Sequence, residues 1–239
     1  LGLIVARNCR RGNEPQEARP IPRPQEEEIL SSSLLLSKLS ATPLLFFDTE
    51  TTGLYPERGD RMCEIALVRT LNGQVEKTFD TLIYPERPIP EDASRISGIT
   101  DAMVWEKPRF RDIVPKIQEM AEGTVLVAHN APFDLSFLLI QLQEAGVEML
   151  KNLVIDTLPL ARRCYKLSDY SLGGLAQALR IQKETAHRAL GDTLMTSRVF
   201  NAMLPMLAQK KLATVGHVLQ FQGGSARPSL KATQVAAAG

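Results

Sequence analysis

The stretch Leu44–Leu54, with the sequence LLFFDTETTGL, decides the fold. Four apolar residues follow Pro43, and their number and composition predict a short buried strand over Leu44–Phe47. Asp48 and Glu50 come directly after it, and side chains two positions apart in a strand point to the same face. We therefore expect both carboxylates to face one site at the end of the strand. The alternative is a strand that ends in a solvated acidic turn.

Four further segments are typical of strands. Ile65–Arg69 and Thr78–Tyr84 alternate in polarity and are joined through Asn72-Gly73, which is a strong hairpin signal. Thr124–Ala128 and Leu153–Ile155 predict a fourth and a fifth strand. Helical patterns cover four segments: Phe110–Ala121, Leu135–Glu144, Leu172–Leu179 and Ala189–Leu207. Three strands followed by alternating helices and strands predict an α/β fold in which helices pack on a mixed sheet.

The ends of the chain differ in composition from the middle. Residues 7–27 are rich in Arg, Pro and Glu and predict a solvated leader, whereas Ile29–Leu39 carries an apolar stripe that predicts a helix, either docked or a plain linker. Gly223-Gly224 favours a flexible tail, and Pro205 is expected to kink or end the last helix. The chain is thereby divided into three segments: the leader with its helix (1–42), a main domain (43–207) and the tail (208–239).

Composition limits the function only weakly. The chain has 28 Lys+Arg and 27 Asp+Glu, so it has no global basic field, and a nucleic acid would have to be held by local features. Cys9, Cys63 and Cys164 form no CxxC pair, which argues against a disulfide framework or a thiolate zinc site and favours a cytoplasmic location. No apolar run approaches the roughly 18 to 20 residues that span a bilayer, so no membrane partner is predicted.

Two more polar clusters follow in the second half of the chain. His129–Asp134 (HNAPFD) comes after the fourth strand, where Pro132 suits the first turn of a helix. Asp134 either serves a site or only complements the helix dipole. His187–Asp192 (HRALGD) stands at the start of the long helix, where the histidine is either functional or structural.

Together the acids predict a site for phosphoryl transfer. Four residues supply hard oxygen ligands that suit two Mg²⁺ or Mn²⁺ ions: Asp48, Glu50, Asp134 and Asp192. Two such ions about 3.5–4 Å apart can clamp the attacking and leaving oxygens of an in-line displacement. His187 could take a proton from the attacking water at neutral pH.

The three motifs, in this order, resemble the DEDDh (DnaQ-like) 3′–5′ exonuclease family and are similar to the epsilon-type proofreading exonucleases of bacterial DNA polymerase III. The resemblance implies an RNase H-like mixed sheet with helices on both faces, and makes residues 43–207 the exonuclease domain. It implies stepwise hydrolysis from a 3′ end with release of nucleoside 5′-monophosphates. It also implies two divalent cations held by the four acids, with Asp48 bridging them, and His187 as the general base.

The resemblance extends to contacts with the substrate. It implies that Thr51 presents its backbone to the terminal nucleotide and that Leu54 wedges against the last bases. Asn130 and Phe133 would line the pocket for the terminal nucleotide. Ser97 stands where proofreading subunits often carry His, so the contact expected there departs from the family pattern.

Three functions remain open at this point. The first is a 3′–5′ exonuclease on single-stranded or frayed DNA, in proofreading or repair, either free-standing or joined to a DNA polymerase subunit. The second is an exonuclease of the same family that trims RNA 3′ ends, which depends on whether the pocket admits a ribose 2′-OH. The third is a non-catalytic module that binds nucleic acid or a partner. It predicts loss of the acids, and all four are present.

Overall fold

The computed structural model describes residues 32–148, 150–182 and 188–223. Within these residues, five strands form one sheet in the order β3-β2-β1-β4-β5. Their bounds are β1 Leu44–Thr51, β2 Met62–Leu71, β3 Gln74–Leu82, β4 Val125–Ala128 and β5 Val154–Asp156. β2 is antiparallel to both β1 and β3, whereas β4 runs parallel to both β1 and β5. The predicted mixed sheet and the α/β class are confirmed.

The hairpin between β2 and β3 forms where the sequence predicts it. Leu71 pairs with Gln74 across a two-residue loop. Asn72 and Gly73 in that loop have φ angles of 52° and 74°. A two-residue type I′ turn needs positive φ at both positions, which Asn-Gly accepts at little strain.

Helices cover the segments between and after the strands. Residues 32–36 are helical and form α1. The others are α2 Glu91–Ser97, α3 Asp101–Val104, α4 Phe110–Ala121, α5 Ala131–Glu144, α6 Thr157–Cys164, α7 Leu172–Ala178, α8 Ala189–Gln209 and α9 Val215–Gln222. The four predicted helices correspond to α4, α5, α7 and α8, while α2, α3, α6 and α9 were not predicted.

The sheet is buried on both faces, as the alternation along β1 shows. Leu45 and Phe47 belong to a cluster that includes residues of α4 and α5. Leu44 and Phe46 point the other way, into a cluster with residues of α6, α7, α8 and α9. The prediction of helices on both faces is therefore confirmed, and a strand buried on both faces explains the unbroken apolar run.

The last long helix departs from one of the two outcomes expected at Pro205, which were a kink or an end of the helix. α8 does not end at Pro205 but continues to Gln209. A proline inside a helix removes one N–H donor and leaves the carbonyl four residues earlier without its usual bond. Pro205 lies on an exposed side of α8, where water can bond to that carbonyl.

The described part of the predicted tail is folded, which corrects that prediction. α9 buries three apolar residues at helical spacing: Val215, Val218 and Leu219. Gln222 then pairs with the outer edge of β5. Its side-chain oxygen accepts the N–H of Asp156 at 3.0 Å, and its amide donates to the carbonyl of Val154 at 3.0 Å. Residues 208–223 are thus part of the domain, and 224–239 lie outside the described residues.

The segment before β1 packs against this same region. Leu34 and Leu35 contact the second cluster, and the carbonyl of Ser37 accepts the N–H of Val215 at 3.1 Å. An added Cβ at Gly216 would lie 2.9 Å from the carbonyl oxygen of Leu35, so glycine permits this approach. The helical residues 32–36 therefore contact the main domain, and 29–31 lie outside the described residues. No described helix has the length and apolar character needed to cross a membrane.

Candidate active site

Three carboxylates converge where β1 ends. Asp48 and Glu50 lie on the face of β1 that α8 covers, and Asp192 lies in the first turn of α8. Each side chain offers one oxygen, and these oxygens lie within 4.8 Å of one another. All three residues are partly buried. The predicted convergence of these acids from β1 and α8 is what the structure shows.

A β-bulge lies beside these acids. Glu50 pairs with Glu64 on β2, but the next residue, Thr51, pairs with Met62, so Cys63 is an extra residue on β2. Bulges of this kind bend a strand and increase its twist, and they are frequent next to active sites. The bulge therefore changes the direction of the sheet directly after Glu50.

Asp134, the fourth predicted ligand, reaches the site from the other face of β1. It lies in the first turn of α5 and is 3% exposed. Its Oδ1 accepts hydrogen bonds from the backbone N–H of Thr49 at 2.9 Å and from the Thr49 hydroxyl at 2.7 Å. Asp134 is outside the three-acid group, but its charge raises the pKa of Asp48. It therefore lies next to the group with one oxygen bonded to Thr49.

Burial and mutual repulsion raise the pKa of these acids. Desolvation raises the pKa of Asp48 well above its usual value, and the charges of Asp134 and Asp192 add to it. The pKa of Glu50 rises from 4.5 to about 7, through burial first and then the charge of Glu64. Burial likewise raises the pKa of Asp134 from 3.8 to about 7. The site therefore holds its negative charge poorly in the absence of a cation.

This donor set fits a hard divalent cation. Such cations prefer carboxylate oxygens, and three of these already lie within a few ångströms of one another. A bound cation would also favour the ionised form of each acid, which opposes the desolvation and repulsion. Asp48, Glu50 and Asp192 are the described residues that could hold it together.

Hydrogen bonds also hold the start of α5 in place. Asn130 precedes α5 with the left-handed angles φ 62° and ψ 49°, and Oδ1 of Asp156 accepts its N–H at 3.0 Å. The ring of His129 bonds to the hydroxyl of Thr157 at 2.9 Å and to the carbonyl of Tyr170 at 3.0 Å. Burial lowers the pKa of His129 and so favours its neutral form, and the two bonds of the ring join these segments.

The predicted substrate residues differ in their surroundings. Leu54 is 61% exposed, in the loop after β1. Asn130 is exposed, Phe133 is partly buried, and Thr51 is partly buried at the end of β1. Ser97 is only 4% exposed, and its hydroxyl donates to the carbonyl of one neighbour in α2 and accepts the N–H of Ile99. Its side chain is therefore engaged within the protein.

Two residues near the acids were missed in the sequence. Glu64 is 1% exposed and lies opposite Glu50 on the neighbouring strand, and Arg188 forms an ion pair with it. An acid inside the apolar run Met62–Val68 was the available signal. His187, the predicted general base, lies outside the described residues.

The chain is similar to solved structures of one class of enzyme and matches the model of one protein family. The solved structure of exonuclease X in complex with 5′-overhanging duplex DNA is 28% identical, with a TM-score of 0.59 over 75% of this chain and 99% of that chain. The fold and the acids at the end of β1 thus place this chain in the class of exonucleases with an RNase H-like fold. A family model described as exonuclease matches residues 45–200, and the chain belongs to that family.

Relatives agree with this assignment. A DNA polymerase III subunit epsilon-like protein from Rhodobacter capsulatus is 42% identical over 193 residues, which is 77% of this chain but only 27% of that protein. The epsilon subunit of DNA polymerase III from Treponema pallidum is 39% identical over 174 residues, 72% of this chain and 80% of that protein. The predicted resemblance to the DnaQ-like exonucleases, the RNase H-like fold and the enzyme class are therefore confirmed.

Proposed function

We propose that the protein is a metal-dependent 3′–5′ exonuclease that removes nucleotides from the 3′ end of DNA. The observation that carries this proposal is the convergence of Asp48, Glu50 and Asp192 within 4.8 Å, with Asp134 beside them. The DNA polymerase III names of the two epsilon relatives support DNA as substrate. The 3′–5′ polarity is supported by a third relative, the 3′–5′ exonuclease DinG of Bacillus subtilis, which is 32% identical over 70% of this chain. The duplex bound to exonuclease X supports DNA as well.

Each acid has a part in this proposal. Asp48, Glu50, Asp134 and Asp192 would hold two divalent cations, Mg²⁺ or Mn²⁺. When bound, the cations supply Lewis-acid stabilisation of the charge that develops on the scissile phosphate. The raised pKa values of Glu50 and Asp134 indicate how strongly the site favours added positive charge.

The remaining predicted residues handle the water and the substrate. His187 takes the proton of the attacking water, a step in which a positioned base typically contributes about 10²- to 10⁴-fold. Leu54, with its exposed side chain, packs against the last bases. Asn130 and Phe133 line the pocket for the terminal nucleotide, and Thr51 offers its backbone. Ser97 is buried and its hydroxyl is bonded within the protein, so a contact of its side chain with the nucleotide would require it to exchange these bonds.

The DNA polymerase III names of the epsilon relatives support a role alongside a DNA polymerase, and we assign that role to proofreading or repair. A proofreading enzyme encounters 3′ ends that are frayed by a mismatch, so it acts on single strands and on mismatched termini. The intact set of acids argues against a module that only binds nucleic acid. We therefore expect hydrolysis, with mismatched ends degraded faster than matched ones.

A gel assay with four substrates tests the proposal. Single-stranded DNA labelled at the 3′ or the 5′ end, duplex DNA with a mismatched 3′ end and RNA of the same sequence are incubated with Mg²⁺, Mn²⁺ or EDTA. We expect early release of the 3′ label, a ladder from the 5′-labelled strand, and no reaction in EDTA or with Asp192→Asn. Glu106→Gln serves as the matched control, because Glu106 is an exposed acid in the segment after α3 and is not one of the acids at the end of β1.

Three results would change the proposal. Full activity in EDTA or in Asp192→Asn would refute the role of the metal. Release of the 5′ label first would refute the polarity. RNA degraded faster than DNA would move the substrate to the alternative, an exonuclease that trims RNA 3′ ends.

A further inference from the structure

We propose that Glu64 and Arg188 form a positioning pair, which holds the start of α8, and with it Asp192, against Asp48 and Glu50. The inference rests on the proposed function, because it concerns the same site. Glu64 is a buried acid and Arg188 a half-exposed arginine, and neither has a part in the proposed hydrolysis.

The contacts of the Glu64 carboxylate come from the start of α8. Nε of Arg188 donates to both oxygens, at 3.0 and 3.1 Å, and Nη2 donates to one of them. The backbone N–H of Ala189 donates to Oε2 at 3.0 Å. The Glu64 side chain is 2% exposed and that of Arg188 is 47% exposed. Both oxygens of Glu64 are thus engaged by protein groups, so we do not count it among the metal ligands.

Glu64 supplies the N-terminal cap that the α8 sequence lacks. The first N–H groups of a helix have no partner within it and need an acceptor from elsewhere. Arg188 is the N-cap residue of α8 and makes no capping bond with its own side chain. Glu64 accepts the Ala189 N–H from the neighbouring strand instead, and its negative charge complements the helix dipole.

Short connections link this pair to the catalytic acids. Glu64 lies opposite Glu50 in the register of β1 and β2, so its position is set by the same strands. Within α8, the N–H of Asp192 donates to the carbonyl of Arg188 at 3.1 Å. The path from Glu50 to Asp192 therefore runs through one strand pairing, the ion pair and one turn of helix.

The burial of the Glu64 carboxylate opposite Glu50 is energetically unfavourable unless another group compensates its charge. A buried acid opposite Glu50 adds repulsion to a site that already carries several carboxylates, and isolated buried charges are strongly disfavoured. Arg188 compensates that charge with a two-pronged contact that lysine cannot reproduce. One ion pair thus compensates the buried charge of Glu64 and also fixes the position of the start of α8.

Variants of both partners test the inference in the full chain. We expect Glu64→Gln and Arg188→Met each to lower kcat, or the affinity for Mn²⁺ in the absence of DNA, by about 10- to 100-fold, as is typical when a ligand loses its supporting contact. We expect KM for single-stranded DNA to change by less than about threefold, because the hydrogen bonds of Glu64 go to Arg188 and Ala189 and not to the predicted nucleotide-binding residues. Arg188→Lys, which keeps the charge, should retain more activity than Arg188→Met.

The double variant Glu64→Gln/Arg188→Met tests whether the two residues act as a unit. Its loss should be no larger than the greater single loss, within about twofold, because residues in one ion pair are energetically coupled. Arg69→Met is the matched control. Arg69 lies on the same strand β2, and its Nη1 donates to the carbonyl of Glu122 at 2.9 Å. We expect Arg69→Met to lower Tm while kcat and Mn²⁺ affinity stay at the wild-type values.

The inference is overturned if both single variants keep kcat and Mn²⁺ affinity within twofold of wild type. It is also overturned if the losses multiply in the double variant, or if Arg69→Met shows the same loss at a similar Tm. If Glu64→Gln does not fold, Arg188→Met decides, since that side chain is half-exposed. A wild-type protein that binds Mn²⁺ but does not hydrolyse DNA would refute the proposed function, and the Mn²⁺ titrations would still test the pair.

Discussion

Asp48 occupies the end of the buried part of β1, and neighbouring carboxylates surround it. Desolvation is the largest cause of its raised pKa, and the charges of Asp134, Asp192 and Glu50 follow in that order. The fold therefore holds an acid where its charged form is disfavoured. The residue with the greatest predicted importance for metal binding is thus a source of instability in the metal-free protein.

Asp48→Asn should separate these two effects. The amide keeps the shape of the side chain but removes the charge, so we expect hydrolysis to be lost and metal-free Tm at pH 8 to rise by several degrees. For a chain of this size, about 1 kcal/mol corresponds to about 2–4 °C. Thermal melts in EDTA and the gel assay measure the two effects. Glu106→Gln should change neither, and a lower Tm in Asp48→Asn would contradict the expectation.

The acids at the end of β1 could be predicted from the sequence, but their supporting contacts could not. Asp48 and Glu50 stand in a short motif at the end of a recognisable strand, so local order places them on one face. Glu64 and Arg188 are 124 positions apart, and neither stands in a pattern that points to the other. Their pairing becomes apparent only when α8 is packed on β2.

At the scale of the element, α9 shows how a sheet edge can be closed without another strand. β5 is three residues long and lies at the end of the sheet. The side-chain amide of Gln222 carries one acceptor and one donor group, like a peptide unit, and bonds to both Asp156 and Val154. An exposed edge invites pairing with other chains, and α9 covers this one.

Gln222→Leu should therefore destabilise the domain. Leucine has a similar size but leaves a buried N–H and a buried carbonyl unpaired, which costs about 1–3 kcal/mol for each group. We expect a lower denaturation midpoint in urea at an unchanged slope. Gln220→Leu, on the exposed side of the same helix, is the matched control. Equal stability of the two variants would show that the edge contact contributes nothing.

The helices and strands differ in how well they can be predicted from their sequences. α4, α5, α7 and α8 carry apolar residues at helical spacing over at least part of their length, and the Asn72-Gly73 turn defines its hairpin. α6 is short and depends on its cap, because Oδ1 of Asp156 accepts the N–H of Leu158 at 3.0 Å. The glycines that follow α9 in the sequence predict a flexible tail instead of a helix. Short helices of this kind form where tertiary contacts complete them.

At the scale of the whole molecule, the net charge of +1 conceals a local excess of negative charge. The acids at the end of β1 lie together with Glu64, and Arg188 opposes them from the start of α8. A DNA phosphate would be repelled by this site until cations are bound. The near-neutral net charge therefore does not exclude a nucleic acid as partner. We infer that the acids make the binding of a nucleic acid at this site dependent on metal.

The stability of the metal-free protein should fall as pH rises from about 5 to 8. Glu50 and Asp134 have folded-state pKa values of about 7, above their ordinary values of 4.5 and 3.8. Between these limits the folded state binds more protons than the unfolded state, so stability is present at low pH and is lost as pH rises through 7. Mn²⁺ competes with these protons, and we expect it to raise Tm by several degrees at pH 8 and little at pH 5.

Thermal melts at pH 5, 6, 7 and 8, with EDTA or with Mn²⁺, measure this dependence across the intact domain. Glu50→Gln is the informative variant, because it removes one group of raised pKa from the site and should flatten the metal-free profile. Groups elsewhere contribute equally to wild type and variant, so the difference between the two profiles isolates the site. A difference that is constant with pH, or a Mn²⁺ effect as large at pH 5 as at pH 8, would show that the acids at the end of β1 do not exchange protons for metal.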